Sequence, residues 1–409
     1  MSSAPIAVPA THPATSPHLI KTDAEAVRVA TEFAKTLRAG ASERDAERRL
    51  PWQELDAFVA TGLWGISVPK AYGGAGVSSG TLAKVTAIIG AADGSLSQIP
   101  QNHYYALEVL RVGGSAAQKR FFYDKVLAGE RLGNALAEIG HKDFKRRTRL
   151  VEEDGKLFVE GTKYYCTGAI YAHWIPTLVT RQEDGADRLF IVFVPRTAPG
   201  VTIYDDWDGF GQRVTGSGTV RFEHVAVEGE WILPFQASFE RPTSIGPLAQ
   251  IIHAAIDLGI GQGAYRDTLE FVRSRARAWI DAKVESAGED PLTLSEIGKV
   301  RISLRAAEAL VERAARLVDA AMEAPDEANV AAASIAVAEA KILTTKAGLL
   351  AANKLFELSG TSSTMAEDNY DRHWRNVRTH TLHDPVRWKY QAIGQYYLNG
   401  RLPRRHGAI

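Results

Sequence analysis

One cysteine, Cys166, stands in a chain of 409 residues, and a lone thiol excludes an intrachain disulfide framework and any cysteine-based metal cluster. An excess of charge of one sign is also lacking. Lysine plus arginine total 48 and aspartate plus glutamate total 48, so no overall field draws the chain to nucleic acid or to an anionic membrane. No run reaches the about 18 apolar residues that a membrane-crossing helix needs. The first twenty residues, MSSAPIAVPATHPATSPHLI, lack the basic start and apolar run of a secretory signal and read as a flexible tail. Together these absences exclude export, membrane insertion and nucleic-acid binding, and they fit a reducing cytoplasm. The glycine clusters near Tyr72 and Gly209 do not lie between a strand and a helix at dinucleotide-loop spacing, so no nicotinamide site is expected. No His/Glu pair sits at metal-ligand spacing on one helix, and no metal is expected.

The chain is 45% hydrophobic and 23% charged, the make-up of a folded protein. It is longer than the roughly 250 to 300 residues one core supports, so subdomains are expected. Helical signals fill residues 22 to 130. A capping box pairs Thr22 with Glu25, and Val29, Phe33 and Leu37 form a stripe ended by Gly40. Pro51 opens a second helix carrying Trp52, Leu55, Phe58 and Val59 on one face. Further helices are expected at about Thr81 to Ala92 and Ala116 to Leu127, the latter closed by Gly129. From about Arg131 to Leu233 the period falls to two, in Lys156 to Gly161, Arg188 to Val194 and Thr219 to Val225, which predicts an antiparallel β insert. Beyond Pro247 the chain turns helical again. Ile297, Val300, Leu304, Ala307, Val311, Ala314 and Val318 make a bundle seam. An Ala-rich helix from about Asp326 to Leu358 and another from Pro385 to Leu398 complete a four-helix set.

The expected fold class is α+β, mainly α. Its expected parts are a tail (1–20), an N-terminal helical domain (21–130), a β-domain (131–240), a C-terminal helical bundle (241–398) and a C-terminal tail (399–409).

Several motifs carry a family resemblance over nearly the whole chain from about residue 22. Gly62-Leu63-Trp64-Gly65-Ile66-Ser67-Val68-Pro69 with Tyr72 to Gly76, Gln118-Lys119-Arg120-Phe121 with Gly129-Glu130, and Lys163-Tyr164-Tyr165-Cys166-Thr167-Gly168 resemble signatures of the acyl-CoA dehydrogenase superfamily. Asn134-Ala135-Leu136-Ala137-Glu138, Gly211-Gln212-Arg213, Arg372-His373-Trp374-Arg375-Asn376, Thr379 to Pro385 and Asn399-Gly400-Arg401 are similar to its reduced-flavin monooxygenase branch, the one of dibenzothiophene, sulfone and sulfinate oxygenation. True dehydrogenases place a carboxylate base, commonly in a Glu-Gly-Thr setting, where this chain reads Leu382-His383-Asp384-Pro385. Asp384 before Pro385 reads as a helix cap in preference to a substitute base.

The resemblance implies an FMNH2-dependent two-component monooxygenase acting on a small organosulfur compound and O2 through a flavin C4a-hydroperoxide, with reduced flavin supplied by a separate reductase. Ser359-Gly360-Thr361-Ser362-Ser363 lacks the glycine-rich loop of FAD-holding dehydrogenases, which favours FMN over FAD. The implied cofactor residues are Asn134, Ala135, Leu136, Ala137, Thr167, Trp207, Arg275, Thr361, Ser362 and His383. Proton handling is expected of His383, His380 and His103, since an imidazole takes or gives a proton near neutral pH. Against that stand bland roles for each: a helix-end cation for His380 and His383, a satisfied core histidine for His103. Tyr104 and Tyr105 are candidates for the substrate side and are not separable by sequence. The bundle's apolar surface predicts a homotetramer. An FAD-dependent acyl-CoA dehydrogenase and a non-catalytic scaffold of the same fold are the competing readings.

Overall fold

The computed structural model describes residues 16–139 and 145–409. Most of the expected N-terminal tail, residues 1–15, lies outside the described residues.

Seven helices come first: α1 (Asp23–Ala39), α2 (Ala41–Glu47), α3 (Trp52–Ala60), α4 (Ser79–Ala92), α5 (Gly94–Gln98), α6 (Gln101–Gly113) and α7 (Ala116–Leu127). Thr22 caps α1 by accepting from the Glu25 amide at 3.1 Å. The reciprocal half of the expected box is not made, because Glu25 instead accepts from the Lys21 amide and touches His18. Helix α2 was not expected; its sequence, ASERDAE, is short and offers no apolar stripe. Helix α7 begins and ends where its signals put it, with Ser115 and Gln118 forming a full capping box and Gly129 in the left-handed region at φ +99°.

Seven strands follow, β1 (Arg149–Glu153), β2 (Lys156–Lys163), β3 (Trp174–Glu183), β4 (Ala186–Pro195), β5 (Val201–Ile203), β6 (Val220–Val227) and β7 (Ile232–Leu233), in one sheet of order β5-β6-β2-β1-β3-β4-β7. Pairing is antiparallel except for β1 and β3, which run parallel through Arg149 and Thr180. That corrects the all-antiparallel expectation. Strand β3 gave no period-two signal because its first seven residues are buried on both faces.

The C-terminal block holds α8 (Ile245–Ser274), α9 (Pro291–Glu323), α10 (Glu327–Ser359), α11 (Asp371–His380) and α12 (Val386–Asn399). The expected seam on α9 is buried from Val300 to Val318, with Ile297 half-buried. Helix α8 is buried almost all round, packed against α4, α6, α9 and α10. Asp384 does not cap α12: Pro385 takes that position and no side chain bonds the first turn. The Asp384 carboxylate is turned instead toward α8, where it accepts from Gln250 Nε2 at 2.9 Å. Among the described residues no helix is long and apolar enough to cross a membrane.

Candidate functional site

A cavity of about 1170 Å³ opens where the three blocks meet. Helices α5 and α6 supply Gln98, Gln101, Asn102 and Tyr105. The strand-like 134–138 segment supplies Asn134, Leu136 and Ala137, and the turn before Gly168 supplies Tyr165 and Thr167. The 207–217 loop adds Trp207, Phe210 and Gln212, α8 adds His253, and the turn between α11 and α12 adds His383 and Asp384. Sequence reasoning missed Gln98, Gln101, Gln212 and His253.

The 207–217 loop is tied down from both sides. The Gln212 amide donates to Asn376 Oδ1 at 2.7 Å, and its side-chain Nε2 donates to the Gly94 carbonyl at 3.2 Å. A Cβ on Gly211 would lie 2.0 Å from the Arg375 carbonyl oxygen, so only glycine lets the loop come this close to α11. Two of the sequence motifs, Gly211-Gln212-Arg213 and Arg372 to Asn376, thus serve one junction. The Trp207 indole donates to the Gln212 carbonyl at 2.8 Å and walls the cavity half-buried.

Four amide side chains in this wall have a buried oxygen with no hydrogen-bond partner: Gln98, Gln101, Asn134 and Gln212. For Asn134 and Gln212 the amide nitrogen is already spent, on the Tyr165 and Gly94 carbonyls respectively, which fixes the oxygen as the end left over. Each buried unsatisfied acceptor costs about 1–3 kcal/mol, so four of them in the lining residues of one cavity mark a region shaped for more than packing.

Beside Asn134 runs a chain of hydroxyls. Thr215 Oγ1 donates to the Gln212 carbonyl at 2.9 Å, Ser217 Oγ lies 2.6 Å from Thr215 Oγ1, and Thr167 Oγ1 lies 2.8 Å from Ser217 Oγ. Each hydroxyl has one proton. Because the chain ends on a carbonyl, which only accepts, the protons point away from the cavity and Thr167 is left with lone pairs facing it.

Elsewhere in the lining, His383 Nδ1 lies 3.1 Å from Asp384 Oδ2, and its ring packs against His253 at a tilt of 36° with centroids 4.1 Å apart. Burial would raise the Asp384 carboxyl. His383 and Gln250 more than offset it and hold the group well below the usual carboxylate range. An ionised Asp384 makes His383 Nδ1 the donor and leaves its Nε2 for the cavity, the orientation a carboxylate-held histidine needs for proton work. His380 also lines the cavity but is buried, with both ring nitrogens engaged, Nδ1 by Asp257 at 2.5 Å and Nε2 by His253 at 3.0 Å.

The structure separates the two tyrosines: Tyr105 lines the cavity, whereas Tyr104 donates to the Leu63 carbonyl at 2.9 Å and faces the core. His103 also misses the cavity. Its Nδ1 accepts from the Leu132 amide at 3.1 Å and its Nε2 donates to the Trp64 carbonyl at 2.8 Å. Burial drives it down to about 4, so it is a neutral core histidine. Ala135 is used up by the sheet, donating to Pro176 and accepting from Leu178. Arg275 sits exposed at the end of α8, paired with Asp368 at 2.7 Å, and Thr361 and Ser362 are exposed on a 3-10 turn; none of the three lines the cavity of its own chain.

Comparison with known proteins agrees with this architecture. The acyl-CoA dehydrogenase N-terminal domain matches residues 22–130, the middle domain 140–225 and the C-terminal domain 251–388. Dibenzothiophene monooxygenase of Rhodococcus erythropolis is 33% identical over 395 residues, covering 93% of this chain and 95% of that one. The probable FMNH2-dependent monooxygenase SfnC of Pseudomonas putida is 31% identical over 384 residues, covering 92% and 96%. The crystal structure of FMN-bound TdsC from Paenibacillus sp. A11-2 superposes with a TM-score of 0.89 at 31% identity, covering 94% of this chain and all of that one. The chain belongs to the acyl-CoA dehydrogenase superfamily, in the branch that holds dibenzothiophene monooxygenase.

Proposed function

We propose that this protein is an FMNH2-dependent, two-component monooxygenase that oxygenates a small organosulfur compound, taking reduced flavin from a separate reductase. The observation that carries the reading is that one cavity is lined both by an acceptor-ended hydroxyl chain and by a carboxylate-held histidine. Reduced FMN supplies the electrons that activate O2, so that one oxygen atom goes to substrate and the other to water. Asn134 and Gln212 would hold the flavin from the lining of this cavity, with Leu136 and Ala137 beside them and Trp207 as a wall. Tyr105, Leu178 and Phe239 line the apolar part for the substrate. His383 holds and delivers a proton at Nε2. Asp384 is not an acyl-CoA dehydrogenase base, because a carboxylate so acidic, with an oxygen engaged by two donors, takes up an α-proton poorly.

Anaerobic titration with FMNH2, followed by ¹⁸O2 and dibenzothiophene, a dialkyl sulfone or methanesulfinate, is expected to give a product carrying one labelled oxygen by mass spectrometry. No labelled product from any of them, with rapid bleaching of bound FAD by a fatty acyl-CoA, sinks the reading in favour of a dehydrogenase.

Thr167 faces the cavity as an acceptor, which suits the N5–H of a reduced flavin and not the bare N5 of an oxidised one. Thr167→Val is therefore expected to weaken FMNH2 binding by about tenfold, the worth of one hydrogen bond of about 1.4 kcal/mol, and to leave oxidised FMN nearly unchanged. Equal losses for both redox states in anaerobic calorimetry would remove this role.

The same proposal takes the protein to be a cytoplasmic homotetramer, in keeping with the lone buried Cys166. Leu292 and Ile302 on α9 and Trp388 and Leu398 on α12 are all more than half exposed in one chain, an apolar surface that association would cover. Arg275, Thr361 and Ser362, which do not reach the cavity of their own chain, then meet the phosphate of a cofactor held by a neighbouring subunit. Light scattering at micromolar concentration is expected to give about four times the 44.5 kDa chain mass; a monomeric mass contradicts both statements.

A further inference from the structure

Helix α8 carries a histidine and an aspartate one turn apart, His253 and Asp257, inside an otherwise apolar stretch. Asp257 is fully buried and meets Lys341 Nζ at 2.6 Å, Thr345 Oγ1 at 3.0 Å and His380 Nδ1 at 2.5 Å. Burial opposes its charge, and the Lys341 ammonium, with the hydrogen bonds from Lys341 and His380, overcomes that opposition and holds Asp257 ionised. A carboxylate only accepts, so His380 Nδ1 carries the proton in that bond. Burial pushes His380 below the usual histidine range, with Asp257 only partly restoring it, and it pushes His253 further down. Both rings are thus neutral at pH 7. A neutral His380 with its proton on Nδ1 presents a bare Nε2 to His253 Nδ1, 3.0 Å away. His253 must donate there. Its own Nε2 is then bare too, at the cavity wall and against the His383 ring.

We propose that Asp257, His380 and His253 form a buried relay through which His253 Nε2 takes up a proton from the cavity and His380 carries the resulting charge. The step balances. His253 gains a proton at Nε2 and gives up its Nδ1 proton to His380 Nε2, and His380 becomes an imidazolium paired with Asp257. No bond to carbon changes and no electron moves. The gain lies in where the charge ends. A cation on His253 would lie against the His383 ring, centroids 4.1 Å apart, with Lys389 near and Arg405 and His406 in the same cavity lining. On His380 it lies against the Asp257 carboxylate, which offsets the opposing charges of Lys341 and His383. Lys341 neutralises Asp257 while the relay is empty and keeps it ionised when a proton arrives. Both histidines line the cavity, but only His253 has a nitrogen left for it; His380, bonded at both nitrogens, and Asp257 act through His253. What the proton is used for rests on the monooxygenase reading; the tautomers do not.

The test uses the full chain with ¹⁵N-labelled histidine, without flavin or substrate. Nitrogen-to-carbon-proton correlation spectra at pH 7 are expected to show His253 and His380 protonated at Nδ1 and bare at Nε2, assigned by the signals lost in His253→Asn and His380→Gln. Finding His253 protonated at Nε2 overturns the relay. His380→Gln keeps an acceptor for His253 but cannot hold a proton. It is expected to bind FMN within about twofold of the parent and to keep KM, yet to oxygenate dibenzothiophene or methanesulfinate about 100-fold more slowly, with rate recovering as pH rises and solvent base takes over. A parent rate and pH profile in His380→Gln overturns proton storage. If the tautomers are as expected but the parent protein oxygenates none of these compounds, the monooxygenase reading fails and the tautomeric chain stands.

Discussion

His383→Ala is expected to lower oxygenation by about 100-fold to 10,000-fold, the usual effect of deleting a positioned acid or base, and to leave FMN binding and folding largely intact. Flavin reoxidation should continue but release hydrogen peroxide in place of oxygenated product. The expectation rests on two contacts that a helix-end histidine would not need: the Asp384 carboxylate at 3.1 Å and the tilted His253 ring at 4.1 Å between centroids. A histidine that merely ends α11 contributes about 1 kcal/mol of stability and little activity. Stopped-flow absorbance with a peroxide assay separates the two outcomes, and an unchanged oxygenation rate would return His383 to the helix-end role. Asp384→Asn should follow His383 in direction but less far, since an amide holds the ring without favouring its charged form.

The second large effect concerns stability. Lys341 and Asp257 are both fully buried and paired at 2.6 Å, and removing one member of such a pair strands the other at a cost of about 3–5 kcal/mol. Lys341→Met is expected to cost that much at pH 8. It should cost less at pH 6, because Lys341 is one of the causes that depress His380. With the lysine gone, the folded-state value of His380 is less depressed below its unfolded value of about 6.5, so the variant loses less stability than the parent as pH falls through that range. Urea midpoints at the two pH values measure this. A loss under about 1 kcal/mol at pH 8 would mean that water or a rearranged side chain reaches Asp257.

Legibility in the sequence followed the strength of local signals. Helix α7 was readable in extent because Gly129 marks its end, and the structure adds a Ser115–Gln118 capping box at its start that the sequence reading did not use. Strand β3 was not, since a strand buried on both faces loses the alternation that reveals strands. The resemblance led to Asn134, Thr167, Trp207 and His383, all of which line the cavity, and also to His103, which does not. A histidine before two tyrosines looks the same whether its ring meets a ligand or two backbone groups, and only the partners from Trp64 and Leu132 decide. Helix phase held a clue for the tyrosines: Tyr105 lies one turn from Gln101, and both face the cavity. His253 hid in an apolar run, where its one signal was the aspartate four residues on.

The junctions that close the cavity join distant parts of the chain: Gln212 to Asn376 across 164 residues, Gln250 to Asp384 across 134 and His253 to His380 across 127. On the ribosome, the sheet and α6 are complete well before Asn376 to Asp384 emerge. At about 5–20 residues per second, the apolar wall of Leu178, Leu189, Phe235 and Phe239 stays uncovered on one side for on the order of ten seconds. For that interval it is an open greasy trough on a half-made protein, and chaperones and other nascent chains compete to cover it before α11 does.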